Sequence, residues 1–248
     1  MAEAHSHSYG TLWLSPGVHV CKLHSTVVVL DLASDRYLAI GGETLQTLAA
    51  MVPGWPDESS AEPRQSPELL GEIPKSVLDL ISEGVLTIDG VLGKVATPLR
   101  FDSRVGSVAL TPNIARHRKI RIGDALNFIR ACISTLWVLR FGSLQKAVER
   151  VAKSKRTCGR NVEFDVAFGE DLIAIFRRLR SFTFSAHRRC LFHALVLVNF
   201  LSRYDLYPQF VMGVKIDPWT AHSWVQAGEF ILDGTPEEVR FFTPIFAV

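Results

Sequence analysis

The sequence has few cysteines for its length, with four in 248 residues and no C-x-x-C pair. We therefore expect free thiols in a reducing compartment rather than a disulfide framework. The spacing His187-x2-Cys190-x2-His193 offers three metal ligands without a clear fourth, whereas structural zinc sites use four. The sequence thus predicts no metal site. The four cysteines are Cys21, Cys132, Cys158 and Cys190.

The sequence also lacks segments that direct a protein to a membrane. The N-terminal residues MAEAHSHSYGTLWL have no basic head followed by an apolar core, as a signal peptide would. No uncharged apolar run reaches the roughly eighteen residues that would span a bilayer. A Walker motif for nucleotide binding is absent too. These absences predict a cytoplasmic protein with no membrane partner and with no cofactor of its own.

Charge is low overall but unevenly divided. The net charge is +2, yet residues 1–95 hold 5 Lys/Arg and 12 Asp/Glu, whereas residues 96–248 hold 22 and 13. Such asymmetry indicates two separate units. The basic segment ARHRKIR at 115–121 raises nucleic acid as a partner, but no aromatic residues interleave with it. A solvated basic linker is the simpler interpretation, so we expect no nucleic-acid partner.

The N-terminal region has the pattern of a small sheet followed by helices. Val18–Leu23 and STVVVLDL at 25–32 are β-branched and apolar, and YLAIG at 37–41 returns after a four-residue turn, which predicts a hairpin. GGETLQTLAAMV at 41–52 has helical apolar spacing. After a Pro/Ser/Glu loop, PELLGEI at 67–73 and the segment from Pro74 predict two short helices.

This order resembles the RiPP recognition element, a small winged-helix-like β3α3 domain that binds leader peptides. The resemblance is carried by LSPGVHV at 14–20, by residues 27–51 and by DLISEGVL at 79–86. It implies that a leader peptide adds as a strand along Arg36–Ile40 and lies against Lys75–Glu83, since an open strand edge offers unpaired N–H and C=O groups. An accessory subdomain without a ligand is the alternative. The implied leader-binding residues are Arg36, Tyr37, Leu38, Ala39, Leu78 and Ile81.

The resulting domain prediction is a leader-binding unit at 1–90, a linker at 91–120 and a helical and sheet unit at 121–248. Helices are predicted from Ile122, at 143–156 and at 170–182, and we expect their Arg and Lys residues to snorkel or to bind solvent. The first of these helices has a broad apolar face formed by Leu126, Ile129, Ile133, Leu136 and Val138.

The last sixty residues bring together residue types that nucleophilic catalysis needs. RRCLFHALVLVNFL at 188–201 places Cys190 at the start of an apolar helix, where the helix dipole favours a thiolate. YPQFVMGVKID at 207–217 and AHSWVQAGEFILDGTP at 221–236 then predict strands that carry His222 and end at Asp233. A thiol needs a base, and the base needs a group that fixes its tautomer. Taken alone, however, a single cysteine is more often a buried core residue.

The pattern C…AHSWVQ…ILDGTP resembles the transglutaminase-like, papain-like α+β fold. More specifically, residues 188–233 are similar to the peptidase of lasso-peptide maturation, most clearly in GVKIDPWTAHSWV at 213–225. The resemblance implies that Cys190, His222 and Asp233 are a catalytic triad. The distance from the histidine to the acid varies in this superfamily, so Asp217 and Glu229 are fallback candidates, although both fall at predicted turns.

Together, the two resemblances imply a fused lasso-peptide B protein. Such a protein binds the leader of a ribosomal precursor peptide and hydrolyses the leader–core amide. The family also implies an asparagine-synthetase-like cyclase as a partner, which would close a macrolactam with ATP. Three alternatives remain: acyl transfer as in a transglutaminase, a noncatalytic scaffold that delivers the precursor, and a nucleic-acid binder that uses the basic half.

Overall fold

The fold is described from a computed structural model, over residues 11–56, 73–99, 108–110, 119–158, 164–181 and 190–248. The architecture is mixed α+β, as predicted. The chain divides between Leu99 and Arg100 into two compact units. The predicted helix at 67–73 and most of the basic segment at 115–121 lie outside the described residues.

The first unit contains an antiparallel three-stranded sheet in the order β2-β3-β4. Val18 pairs with Asp31 at one end of β2, and Val27 pairs with Ile40 at one end of β4. β4 is therefore an edge strand. The elements are β1 (Trp13–Leu14), β2 (Val18–Leu23), β3 (Thr26–Asp31), β4 (Arg36–Ile40), α1 (Gly42–Met51), α2 (Lys75–Ser82) and β5 (Leu86–Thr87), which pairs with β1.

One face of this sheet packs against the two helices. Val27 and Val29 are fully buried because side chains two apart in a strand share a face. Leu48 of α1 and Val77 of α2 complete the same core. These elements agree with the strand and helix predictions for this half, whereas the winged-helix-like β3α3 description stays a prediction.

The described part of the predicted linker at 91–120 is integrated into the fold. Lys94 exchanges backbone hydrogen bonds with Leu14, and Ala96 is fully buried in the first core. Farther along, β6 (Val108–Ala109) pairs in parallel with the strand β9 (Phe230–Ile231). The sequence did not predict these contacts. Each of them involves only two or three residues, which is too few to produce a periodic pattern of apolar residues.

The second unit has a helical layer built around α6. Asn199 of α6 donates a hydrogen bond to Thr135 of α3, 2.8 Å away. The rings of Phe128, Phe176 and Phe200 join α3, α5 and α6, with centroids 5.5–6.4 Å apart. The helices are α3 (Ile122–Phe141), α4 (Leu144–Cys158), α5 (Val166–Ser181) and α6 (Cys190–Leu201), and a 3₁₀ turn follows at Ser202–Tyr204.

A five-stranded sheet in the order β10-β7-β8-β9-β6 completes this unit. Its pairs are antiparallel except that between β6 and β9. The C-terminal strand β10 and the short helix α7 were not predicted. The remaining elements are β7 (Gln209–Lys215), β8 (Thr220–Ala227), β9 (Phe230–Ile231), α7 (Pro236–Val239) and β10 (Thr243–Ala247).

The apolar face predicted for α3 is not the face that the protein buries. Of its five residues only Val138 is buried, and the other four are exposed. The buried side instead carries Phe128, Ala131 and Thr135. Among the described helices, α3 is the one whose length and composition would allow it to cross a bilayer.

Candidate functional site

Cys190 is the first residue of α6, as the sequence predicts. It is a free thiol that remains partly exposed. The helix beyond it is buried from Phe192 to Leu201 except for Asn199, and it packs against β8. Cys190 therefore differs from the core residues that follow it, because it is only partly buried.

His222 is the third residue of β8, opposite Gly213 of β7. Its ring stacks on Trp224, with centroids 6.2 Å apart and planes inclined by 18°, and it lies 5.1 Å from the ring of Phe242. A Cβ atom on Gly213 would come within 2.8 Å of the Trp224 ring, so glycine there permits the close packing beside the histidine.

The environment of His222 favours its neutral form. Burial lowers the pKa of His222 below its ordinary value, although Glu238 and Asp233 act in the opposite direction. Since an ordinary histidine has a pKa of about 6.5, this imidazole is unprotonated near neutral pH. A neutral imidazole can accept a proton from a thiol.

Asp233 lies two residues after β9, at the end of the hairpin that carries His222. The amide of Leu232 donates to the carbonyl of Val225 at 2.8 Å, which extends the contact between these two chain segments by one residue beyond the β8–β9 pairs. His222 and Trp224 share a face of the strand because side chains alternate. The carboxylate of Asp233 is close enough to His222 to raise its pKa, against the effect of burial.

Two arginines of α5 hold Asp233 and its loop. Nη1 of Arg180 donates to Oδ1 of Asp233 at 2.9 Å. Arg177 donates to the carbonyls of Leu110 and Leu232 at 3.4 Å, and burial lowers its pKa. The sequence predicted that the basic residues of this helix snorkel or bind solvent, and the structure shows that these two bind groups of the protein. No local pattern identifies them, since their partners are more than 50 residues away.

Glu238 is a second carboxylate near His222 that the sequence analysis missed. It opposes the burial effect on the pKa of His222 more strongly than Asp233 does. Its Oε2 also accepts from the amide of Thr235 at 3.2 Å in a capping box. The T-x-x-E pattern of TPEE was the available signal. The fallback residues Asp217 and Glu229 lie in the turns before and after β8.

A separate groove lies in the first unit, between edge strand β4 and helix α2. The cavity has a volume of about 310 Å³. Nη1 of Arg36 meets Oε2 of Glu83 at 2.8 Å and links the strand to the end of the helix. The lining residues are Leu38, Ala39, Ile40, Gly41, Thr44, Ser76, Asp79, Leu80 and Glu83.

The predicted leader-binding residues divide around this groove. Leu38 and Ala39 line it, and Arg36 belongs to the ion pair that links its two walls. Leu78 is exposed on α2, whereas Ile81 packs against the first core. Tyr37 is half-buried in β4. The polar residues Thr44, Ser76 and Asp79 were missed, because the resemblance rests on apolar and turn positions.

Iodoacetamide is expected to label Cys190 faster than Cys21 or Cys132. Burial raises the pKa of Cys21 to about 12 and that of Cys132 to about 11. Both are therefore protonated near neutral pH, and the thiolate is the form that reacts. Peptide mapping by mass spectrometry over time gives the order. Labelling of Cys132 as fast as that of Cys190 would argue against a nucleophile at position 190.

No group of three or more His, Cys, Asp or Glu side chains within the described ranges is arranged to hold a metal ion. The chemistry that this part of the chain offers is that of a thiol, an imidazole and carboxylates. Such a set can support covalent acyl chemistry, in which a thioester forms and is then released.

Comparison with known proteins finds a family match for most of the second unit. Residues 131–247 match the model of the Transglutaminase-like superfamily. The chain therefore carries a transglutaminase-like domain over these residues, and this fold is typical of cysteine-protease-like enzymes. Neither a curated protein nor a solved structure matches the chain.

Proposed function

We propose that the protein is a leader peptidase of lasso-peptide biosynthesis. In this proposal the first unit binds the leader of a ribosomal precursor, and the transglutaminase-like unit hydrolyses the leader–core amide. The observation that carries it is the packing of His222 against Trp224 and Phe242, with Asp233 and Glu238 as its nearby carboxylates. β8, which carries that histidine, packs against the helix that Cys190 begins.

In the proposed reaction His222 takes the proton of the Cys190 thiol, and the sulfur attacks the carbonyl carbon of the last leader residue. The tetrahedral intermediate then collapses: the C–N bond breaks and His222 gives its proton to the departing core amine. This leaves a thioester between the leader and Cys190. The backbone N–H of Cys190 is the proposed donor to the oxyanion.

Water completes the cycle. His222 takes a proton from the water that attacks the thioester carbonyl, the C–S bond breaks, and His222 returns that proton to the sulfur of Cys190. The leader leaves as a carboxylic acid that ionises in water. Asp233 orients His222 and is itself held by Arg180. The liberated core amine would pass to an asparagine-synthetase-like cyclase, the partner that would use ATP. A cytoplasmic location belongs to the same proposal.

The proposal is tested by incubating the protein with a cognate precursor and its cyclase, followed by mass spectrometry. Hydrolysis gives a leader that ends in a carboxylate and a core with a free amine or a macrolactam. A leader joined to an added primary amine would favour acyl transfer, the second function that a transglutaminase-like domain supports. An uncleaved precursor that still binds would favour a delivery scaffold.

The leader is proposed to bind as an added strand along β4, against α2. β4 is an edge strand of its described sheet, and an extended peptide can add to such an edge through backbone hydrogen bonds. The groove beside it carries apolar side chains from Leu38 and Leu80 and a carboxylate from Asp79. This combination suits an extended peptide with alternating apolar and polar residues.

Arg36→Glu and Leu38→Pro are each expected to weaken leader binding roughly tenfold or more. The first change places a third carboxylate beside Asp31 and Glu83, which Arg36 now faces. The second removes a backbone donor and constrains the edge strand. Fluorescence anisotropy with a labelled leader peptide measures the affinity.

The matched control is Lys22→Glu on β2, at the opposite edge of the same sheet, which is expected to leave affinity unchanged. Circular dichroism and iodoacetamide labelling of Cys190 verify that the second unit stays folded. Unchanged affinity in both variants would refute strand addition along β4.

A further inference from the structure

The outward face of α3 carries a long stripe of exposed apolar side chains. Their exposed fractions range from 47% to 82%. Their spacings of three and four residues place them on one side of a helix roughly 30 Å long. The opposite side packs into the core through Phe128, Ala131 and Val138. The stripe consists of Ile122, Leu126, Ile129, Ile133, Leu136, Trp137 and Phe141.

The charges next to this stripe are positive. Arg130 and Arg140 of α3 are exposed, and so is Arg121, which directly precedes the helix. The single acid of the helix, Asp124, is buried and accepts hydrogen bonds from the amide of Arg121 and from the hydroxyl of Tyr204. The exposed surface of α3 therefore combines apolar side chains with arginines and presents no carboxylate of its own.

The aromatic end of the stripe opens into a basic cavity. The rings of Trp137 and Phe141 have centroids 4.6 Å apart and line a cavity of about 360 Å³ between α3 and α4. Lys146, Arg150 and Lys153 of α4 line the same cavity, and Glu149 is its one acid.

A larger cavity of about 620 Å³ adjoins the first, since Val138, Arg150 and Lys153 line both. Its other polar groups are mainly hydroxyls, including those of Ser134 and Thr157, with Asp205 as the one acid. Cations and hydroxyls together suit a phosphate group.

We infer that this surface docks on an anionic phospholipid membrane. The stripe enters the boundary between headgroups and acyl chains, as interfacial amphipathic helices do, and the arginines face the phosphates. The basic cavity beside Trp137 and Phe141 receives a lipid phosphate. α3 lies along the membrane rather than across it, because its opposite side is committed to the core.

Charge favours this occupant over a second copy of the chain. Two copies of α3 packed face to face would bring arginines of one helix against arginines of the other, with no exposed carboxylate on either helix to compensate. An anionic lipid surface instead supplies the opposite charge. Each basic residue near such a surface strengthens binding, and salt weakens it.

The test is co-sedimentation of the full chain with phosphatidylcholine vesicles, with or without roughly a third phosphatidylglycerol. Roughly tenfold stronger binding to the anionic vesicles is expected, falling as salt rises. Ile133→Ser combined with Trp137→Ser is expected to reduce that binding roughly tenfold or more, and so is Arg150→Gln combined with Lys153→Gln. The matched controls Phe241→Ser and Lys75→Gln change exposed residues elsewhere and should bind as the unaltered chain does.

Three outcomes would overturn the inference: equal binding to both kinds of vesicle, full binding by both double variants, or a dimer in solution that Ile133→Ser with Trp137→Ser dissociates. Binding of free inorganic phosphate that the vesicles do not displace would assign the cavity to a soluble anion instead. Both double variants leave the proposed triad unchanged, so Cys190 can still be labelled in them. Circular dichroism and the rate of that labelling verify that the variants are folded.

Discussion

Cys190→Ala is expected to abolish cleavage of the precursor, lowering kcat/KM by roughly a thousandfold or more. The change removes the atom that would form the thioester and leaves the rest of α6 in place. Alanine is a good helix former, and position 190 is only partly buried, so the fold should survive. The amounts of leader and core released over time, followed by mass spectrometry, measure the loss.

Cys132→Ala is the matched control, since it removes another partly buried free cysteine from the same unit. It is expected to cleave as fast as the unaltered protein. Cys190→Ala should also keep its affinity for the leader, because the groove beside β4 belongs to the first unit. Cleavage that persisted in Cys190→Ala would exclude the proposed nucleophile, whereas leader binding would still be open to test.

Asp233→Asn is expected to lower kcat by roughly 10²- to 10⁴-fold, as loss of the orienting carboxylate does in other triads. An amide can present the wrong hydrogen-bonding group to the imidazole and does not stabilise the imidazolium that forms during the reaction. Glu238→Gln is expected to cost less than tenfold, because Glu238 is engaged by the amide of Thr235 at the start of α7.

Arg180→Gln tests whether cleavage depends on the carboxylate of Asp233 itself or on the ion pair that Asp233 forms with Arg180. It breaks the 2.9 Å ion pair but leaves the carboxylate of Asp233 in place. We expect a smaller loss of kcat than in Asp233→Asn. Equal losses would mean that the ion pair, rather than the carboxylate, is what cleavage requires. A larger loss in Glu238→Gln than in Asp233→Asn would transfer the orienting role to Glu238.

Much of the local structure follows from short-range patterns. The β-branched segments of the first unit form strands because their side chains suit a pleated, buried surface. The long apolar run after Cys190 forms a buried helix. By contrast, β6, β10 and α7 were missed, since two of them pair with strands distant in sequence and α7 has only four residues.

The sequence by itself determined the order of the candidate site: a cysteine that opens an apolar helix, a histidine within a strand and an aspartate where the next strand ends. The tertiary structure alone decided which partners these residues meet. It brought Arg180 to Asp233 across 53 positions and Glu238 toward His222. It also buried one apolar side of α3 and left the other exposed. Periodicity and capping act within a few residues, whereas the choice of a partner depends on how separate elements pack.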